Sequence, residues 1–564
     1  MTAVEQAAGV PPAASVATTS CAELVGRTLA RLGVTRVFGV VGSGNYVVTD
    51  ALVRAGATFT AARHEAGAVG MADGYFRATG KVAAASVHQG PGLTNATTAL
   101  VEACKSRVPL ILVAGATSAG ATRSNFYLDQ DALVRTAGAV SVPLHRPATV
   151  VDDTVAAYRR AVVEQTPVVL HLPLDVQARQ VPVPASAPRT MRVADTVVPS
   201  ASEVEELASR LLSARRPVFI AGQGAWRSGA GRTLAQLADR VGAMLATTAM
   251  AKGLFRGHPR DLGVSGGFST RHTAGVLESA DLIVGFGASL TTWTTRHDTI
   301  LTEGTVLAQV DTDRSALGLN PRVQLGVVGD VEATASLLLT AVAAEGRTPA
   351  SQWLSAPPVA PPLERHAHVP SALANTVHPA WFTDALEEML PAERTVVIDG
   401  GHFIGWPATR LSVPDPSGFL FSSAGFQSIG LGLGMAIGAA LGRPDRLTVL
   451  AAGDGGFLMS VAELETLVRL RLPVLVVVYD DEAYGAEVHH FADHPSGLDL
   501  VRFPPTDIAG LAGGLGAQAV TVRAPADVDL LRRWLEARPG PLVVDAKIDP
   551  DVVGYWAAQD FIGH

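Results

Sequence analysis

The sequence predicts an α/β protein made of three doubly wound parallel-sheet domains. Three observations carry that expectation. Short Val/Ile/Leu-rich runs alternate with stretches of helical apolar spacing, the pattern of parallel sheets with crossover helices. Most of those runs end in glycine-rich or acidic loops, where open α/β sheets place their sites. Proline-rich stretches at 181–202 and 348–370 break the pattern twice, and 564 residues are too many for one core.

Each element follows in order. Residues 1–18 lack a basic and a continuous apolar region, and read as a flexible leader, not a signal peptide. The first domain spans 19–185. ELVGRTLARLGV has helical spacing, TRVFGVVG is a strand ending at glycines, and YVVTDALVRAG is a second helix. KVAAASVHQGPG, TNATTALVEACKSR and VPLILVAGAT repeat the alternation. The central domain spans 200–345, with RPVFIAGQGA, ADLIVGFGAS and TVLAQVDTD as strand units. A linker over 346–370 is too proline-rich for a helix or an inner strand. The third domain spans 371–564. Its strand ends are RTVVIDGG, RLTVLAAGDGG, LPVLVVVYDD and GPLVVDAKID.

Composition narrows the function classes. Hydrophobic residues are 48% and charged ones 17%, which fits a core-rich globular protein and not a disordered one. The net charge is −8 and no basic run stands out, which argues against nucleic acid as a partner. Two cysteines provide neither a disulfide framework nor a metal cluster. No apolar run reaches membrane-spanning length, so no membrane partner is expected and the default location is cytoplasmic.

The third domain carries the most specific chemistry. A strand leads into Gly453-Asp454-Gly455-Gly456 and then a helix, so backbone N–H groups face an anion at a helix start. A carboxylate there is unfavourable beside phosphate unless a cation lies between. Asp481 follows Asp454 by 27 residues, at the end of the next strand. Two carboxylates, a loop carbonyl and phosphate oxygens make an oxygen site suited to Mg²⁺. Taken alone, Gly-Asp-Gly is also an ordinary tight turn; the spacing and strand context favour the clamp.

This stretch resembles the diphosphate-binding motif of thiamine diphosphate enzymes of the acetolactate synthase and benzoylformate decarboxylase-like family. The resemblance implies a pyrimidine-binding first domain, a central domain and a diphosphate-binding third domain. It implies metal ligation by Asp454, Asp481 and the Ala483 carbonyl, with Tyr484 and Gly485 closing the motif. Asp480 departs from it, because the family usually has Asn there.

RHEAGAVGMADGYFRATGK, residues 63–81, resembles the family's pyrimidine motif, which implies that Glu65 activates the aminopyrimidine. A surface glutamate favoured by the helix dipole is the plain alternative. The next loop matches Gly90, Pro91, Gly92 and Asn95 of the family, preceded here by His88-Gln89. A histidine at this position is similar to benzoylformate decarboxylase and implies proton handling, with Gln89 beside it. A loop histidine bonded to backbone stays open as the alternative. Ser43, Gly44 and Asn45 match the substrate-side glycine loop, and Phe126 and Tyr127 stand where the family has a glutamine near the thiazolium.

Further matches place Gly401, His402 and Phe403 near the diphosphate, the Gln427 carbonyl at the pyrimidine amino group, and Ile429 as the residue that bends the cofactor. The central domain resembles one that holds FAD in acetolactate synthases. Its usual Arg-Phe-Asp-Asp loop is replaced by Ser289-Leu290-Thr291-Thr292-Trp293, so FAD is doubtful. The whole resemblance implies thiamine diphosphate and Mg²⁺ as cofactors and a 2-oxo acid as substrate. It implies carboligation through a decarboxylated enamine, with an aldehyde or second oxo acid as acceptor. Simple decarboxylation and aldehyde or acyloin cleavage are the alternatives, and a non-catalytic relative is the weakest reading. It also implies a homodimer or homotetramer with active sites between subunits.

Overall fold

A computed structural model describes residues 17–183, 196–359, 361, 364–367, 373–494 and 497–556. Three six-stranded sheets organise the chain, and every strand pair within them is parallel. The predicted α/β class is therefore the observed one.

The first sheet runs in spatial order Thr58–Ala61, Arg36–Gly39, Ala84–Val87, Ile111–Ala116, Val168–Pro173, Val140–Pro143. The third follows the same winding: Phe419–Phe421, Arg394–Ile398, Leu447–Gly453, Val474–Asp480, Leu542–Lys547, Gln518–Val522. The central sheet is wound differently: Asp261–Val264, Met244–Thr247, Pro217–Ala221, Leu282–Phe286, Val306–Asp311, Val323–Val328. In the central sheet the order reverses once, while in the first and third the last two strands are also exchanged at the far edge. Each sheet has a reversal nearer its middle, between the second and third strands in space of the first and third sheets and between the third and fourth of the central one. At that reversal the loops leave in opposite directions and open a crevice at the carboxyl ends of the strands.

The first and third domains share a core. Helix Glu65–Thr79 lies along helix Gly432–Gly442, and Met71, Ala72, Met435, Ile437 and Leu450 pack in one apolar cluster. Glycines permit the close approach. A Cβ at Gly434 would stand 2.8 Å from the carbonyl oxygen of Gly67, and one at Gly74 would stand 2.9 Å from the carbonyl carbon of Met435. Gly70 and Gly74 on the first helix, and Gly434 and Gly438 on the second, are each four residues apart and so share one helical face.

Two boundary expectations change. Thr18 belongs to a short strand, Thr18–Ser20, which pairs antiparallel with Gln180–Pro182. The rest of the leader, except residue 17, lies outside the described residues, as do 184–195 of the first linker. In the second linker, Trp353 is buried in the central domain's core and the Ser351 hydroxyl donates to the Gly242 carbonyl at 2.8 Å. The central domain's packing thus reaches beyond 345, because one large aromatic outweighs the prolines around it. Among the described residues no helix is long and apolar enough to cross a membrane.

Candidate active site

The third sheet reverses between Arg394–Ile398 and Leu447–Gly453, and four of its loops meet there. Gly453 caps helix Asp454–Met459, which starts directly at the strand end. Asp481 follows strand Val474–Asp480 one place further along the sheet. Asp454 is buried; burial first, then the charges of Asp481 and Asp480, push its carboxyl up to about 8. Burial and the neighbouring Asp480 push Asp481 up to about 7. Two carboxylates are thus held together without enough positive charge.

The turn after Asp480 is tightly specified. Glu482 has φ +57°, in the left-handed region, and its N–H donates to Asp480 Oδ1 at 3.1 Å. Tyr484 N donates to the Val501 carbonyl at 2.9 Å and Phe503 N to the Glu482 carbonyl at 2.8 Å. These bonds flank Ala483, and its own carbonyl takes part in neither. A Cβ at Gly485 would strike Asp481 Oδ2, and one at Gly455 would stand 2.9 Å from the Tyr484 ring. A side chain at either position would push one of these groups aside.

The wall opposite is Gly400-Gly401-His402-Phe403. Gly401 has φ +138°. His402 packs against His489 with ring centroids 4.3 Å apart. Burial, then the His489 ring, push His402 down to about 4, so it is neutral. Ile429 is 45% exposed at the crevice rim, where its side chain lies against Gly400 and Gly456. Gln427 beside it is exposed and has φ +56°.

A second group of residues lies at the reversal of the first sheet, between Arg36–Gly39 and Ala84–Val87. Glu65 opens its helix, capped by His64, and accepts a hydrogen bond from Asn95 Nδ2 at 3.0 Å. His88 Nδ1 lies 3.0 Å from the Gln89 carbonyl. A carbonyl only accepts, so Nδ1 carries the proton and Nε2 presents its lone pair in the neutral ring. That Nε2 is 3.4 Å from Ser43 Oγ, and the edge of Phe126 lies against the ring at 5.0 Å between centroids. Phe126 and Tyr127 are both exposed, at 44% and 51%.

Comparison with known proteins agrees with this layout. Residues 19–133 match the thiamine pyrophosphate enzyme N-terminal TPP binding domain, 204–338 the central domain and 399–546 the C-terminal TPP binding domain. The chain belongs to the thiamine pyrophosphate enzyme family. A probable 2-ketoarginine decarboxylase of Pseudomonas aeruginosa is 31% identical over 91% of this chain and 90% of its own. The acetolactate synthase isozyme 1 large subunit of Escherichia coli is 27% identical, covering 94% of both. The solved thiamine diphosphate-dependent 4-hydroxybenzoylformate decarboxylase of Rhodococcus jostii shares the fold, with a TM-score of 0.80 at 22% identity over 94% of this chain and 100% of its own.

The residues present fit a thiamine diphosphate with its cation. Among the described residues no three or more His, Cys, Asp or Glu side chains converge as metal ligands. The donors at hand are oxygens only, and two carboxylates suit a hard cation that would take its remaining oxygens from a backbone carbonyl and from the ligand's phosphates.

Several placements differ from the expectations. Asn45 is fully buried: its amide donates to the Val40 carbonyl at 3.2 Å and Ser86 Oγ at 2.9 Å, and its Oδ1 accepts from Gly42 N at 2.8 Å. It shapes the loop and does not face a substrate. Gly44 is buried too, its carbonyl accepting from Gln177 Nε2 at 2.8 Å. Gln89 is 3% exposed, with its Oε1 turned behind Gly44 and Gly115, so it does not reach the reacting side.

Three residues of this thiamine pyrophosphate enzyme escaped sequence reasoning. Buried Asp399 accepts from Ser422 Oγ at 2.9 Å and Gly430 N at 3.0 Å, binding the His402 loop to the Ile429 loop. Buried Glu102, from the first domain, accepts from Gly425 N at 2.9 Å and Phe426 N at 2.7 Å. Buried Glu463, from the third, accepts from Arg63 N at 2.9 Å and His64 N at 3.0 Å, and so seats the start of the Glu65 helix. Each bond joins segments far apart in sequence. The sole signal available was an acidic residue within an otherwise apolar helical or strand pattern.

Proposed function

We propose that the chain is a thiamine diphosphate- and magnesium-dependent enzyme acting on a 2-oxo acid, with acetolactate synthase-like carboligation as its first reading. The observation that carries this is the convergence of Asp454 and Asp481 at the reversal of the third sheet, with their charge uncompensated. Asp454, Asp481 and the Ala483 carbonyl hold Mg²⁺, and the Gly453–Gly456 backbone receives the diphosphate. Ile429, the Gln427 carbonyl and the Gly401-His402-Phe403 wall shape the space above it. Glu65 holds a proton at the pyrimidine ring. When bound, the cofactor supplies the nucleophilic carbon and the electron sink that loss of CO₂ from a 2-oxo acid requires.

A second reading is simple decarboxylation. The Ser43–His88 contact favours it, because a ring with Nδ1 tied to the Gln89 carbonyl can take and return a proton at Nε2. A 2-oxo acid panel with thiamine diphosphate and Mg²⁺ tests both readings. Carboligation predicts CO₂ with an acyloin-type product when an aldehyde or second oxo acid is present. Decarboxylation predicts CO₂ and free aldehyde in either case. No CO₂ from any 2-oxo acid contradicts both.

We also propose a homodimer or homotetramer in which Glu65 of one chain meets the clamp of another. Phe426, Ile429, Met459 and Tyr484 around the clamp are exposed apolar groups suited to a subunit contact.

A further inference from the structure

Asp480 is the residue at which the clamp departs from its family, and its partner is 67 residues away in sequence. Asp480 and Lys547 end neighbouring parallel strands and stand opposite each other in register. Both are buried, at 2% and 3% exposure. Lys547 Nζ donates to Asp480 Oδ2, forms a 3.0 Å hydrogen bond to the Thr506 carbonyl and lies 3.4 Å from Asp545 Oδ2. Asp545 is buried as well, and burial, then the charge of Asp480, push it up to about 7.

The two oxygens of Asp480 have different partners. Oδ2 takes the ammonium, while Oδ1 takes the N–H of Glu482, the left-handed residue of the turn. An asparagine in place of Asp480 keeps the second bond through its carbonyl. Its NH₂ then faces the Lys547 ammonium, donor against donor. The aspartate and the lysine therefore require each other. A lysine here also places one buried positive charge at a strand edge where Asp454, Asp480, Asp481 and Asp545 collect.

We propose that Lys547 is a positioning residue for the clamp: through Asp480 it fixes the turn that presents the Asp481 carboxylate and the Ala483 carbonyl to the cation. The proposal rests on the reading of Asp454, Asp481 and Ala483 as that clamp. Lys547 touches neither cation nor cofactor; it holds the ligand-bearing turn from behind. Loss of such an outer contact costs about 10–100-fold in metal affinity.

The test is Mg²⁺ titration of full-length protein with saturating thiamine diphosphate, read by tryptophan fluorescence, with thermal unfolding of the cofactor-free protein measured in parallel. Lys547→Met and Asp480→Asn each raise the Mg²⁺ Kd about 10–100-fold. The double variant returns to within about threefold of wild type, since the amide introduced by Asp480→Asn can donate to Asp545 once the ammonium is gone. Lys547→Arg keeps the charge and loses less affinity than Lys547→Met. Unchanged Mg²⁺ affinity in Lys547→Met, or in Asp480→Asn where Lys547→Met does not fold, with lowered cofactor-free stability shows a purely structural role and overturns the proposal. So does a double variant that binds no better than the worse single one. Asp481→Asn separates the premise: if it leaves Mg²⁺ binding intact, the clamp reading itself fails; if it abolishes binding while Lys547→Met leaves the Mg²⁺ Kd unchanged, the positioning role alone fails.

Discussion

Replacing Gly438 by alanine tests whether the seam between the first and third domains is as tight as the glycines imply. A Cβ at Gly438 would overlap the Met71 carbonyl oxygen and stand 2.8 Å from both the Met71 carbonyl carbon and Tyr75 N. These are backbone atoms of helix Glu65–Thr79 and cannot rotate aside. Restoring a carbon–oxygen contact of about 3.3 Å where the added Cβ would stand 2.0 Å from the Met71 carbonyl oxygen means separating the helices by about 1.3 Å. Overpacking of this kind costs about 1–3 kcal/mol, and the better helix propensity of alanine returns about 1. Because the clash is with backbone, the cost lies at the upper end of that range, and the expected net loss is about 2 kcal/mol, a drop of a few degrees in Tm. Gly70 supplies the control on the same seam. Its nearest neighbours across the interface are 3.6 Å from an added Cβ, which is ordinary contact. Gly70→Ala should therefore leave Tm unchanged or raise it slightly. Differential scanning calorimetry of both variants decides. A Gly438→Ala protein as stable as wild type, or an equal fall in both, refutes the reasoning. Because the shifted helix begins at Glu65, Gly438→Ala should also lose activity.

Other outcomes follow from the same contacts. Glu65→Gln should reduce turnover by at least about 100-fold while leaving Tm within about a degree, read from CO₂ release and calorimetry. Mixed Glu65→Gln and Asp454→Asn homodimers, each inactive, should regain about a quarter of wild-type activity after subunit exchange if the two residues come from different chains; no regain after exchange verified by mass spectrometry contradicts that arrangement. Acid should weaken the fold through His171, which is buried, with Nδ1 3.1 Å from the Gln130 amide nitrogen and Nε2 2.9 Å from Ser141 Oγ. Burial pushes it down to about 4. A depressed folded value means stability present above the free value of about 6.5 and lost as pH falls toward 4, on the order of 3 kcal/mol in all. Tm should fall between pH 7 and pH 4.5, and His171→Gln should flatten that fall; an equal slope in the variant contradicts the assignment.

The three sheets were legible because apolar runs ending in glycine or aspartate carry both period and position. Asp454 and Asp481 were legible because a strand–helix–strand unit converts 27 residues of separation into adjacency at one sheet edge. Direction within loops was not. Asn45 and Gln89 sit in the right loops, yet both point inward, Asn45 to bond buried backbone and Gln89 to pack behind Gly44 and Gly115, and no period marks such a choice. Pairing across a sheet was equally hidden. Asp480 stood out as an anomaly, but its explanation lies on strand Leu542–Lys547, and nothing local to either residue names the other. Glu102 and Glu463 escaped notice for a related reason: buried acids that hold another domain's N–H groups look in sequence like surface charges.

The central claim is that Asp454 and Asp481 hold a cation that anchors the cofactor's diphosphate. Isothermal titration of thiamine diphosphate into the cofactor-free protein, with Mg²⁺ and with EDTA, tests it most directly when repeated on Asp454→Asn and Asp481→Asn. Binding to wild type is expected to depend on Mg²⁺ and to be lost in both variants. Binding that is indifferent to EDTA and intact in both variants contradicts it.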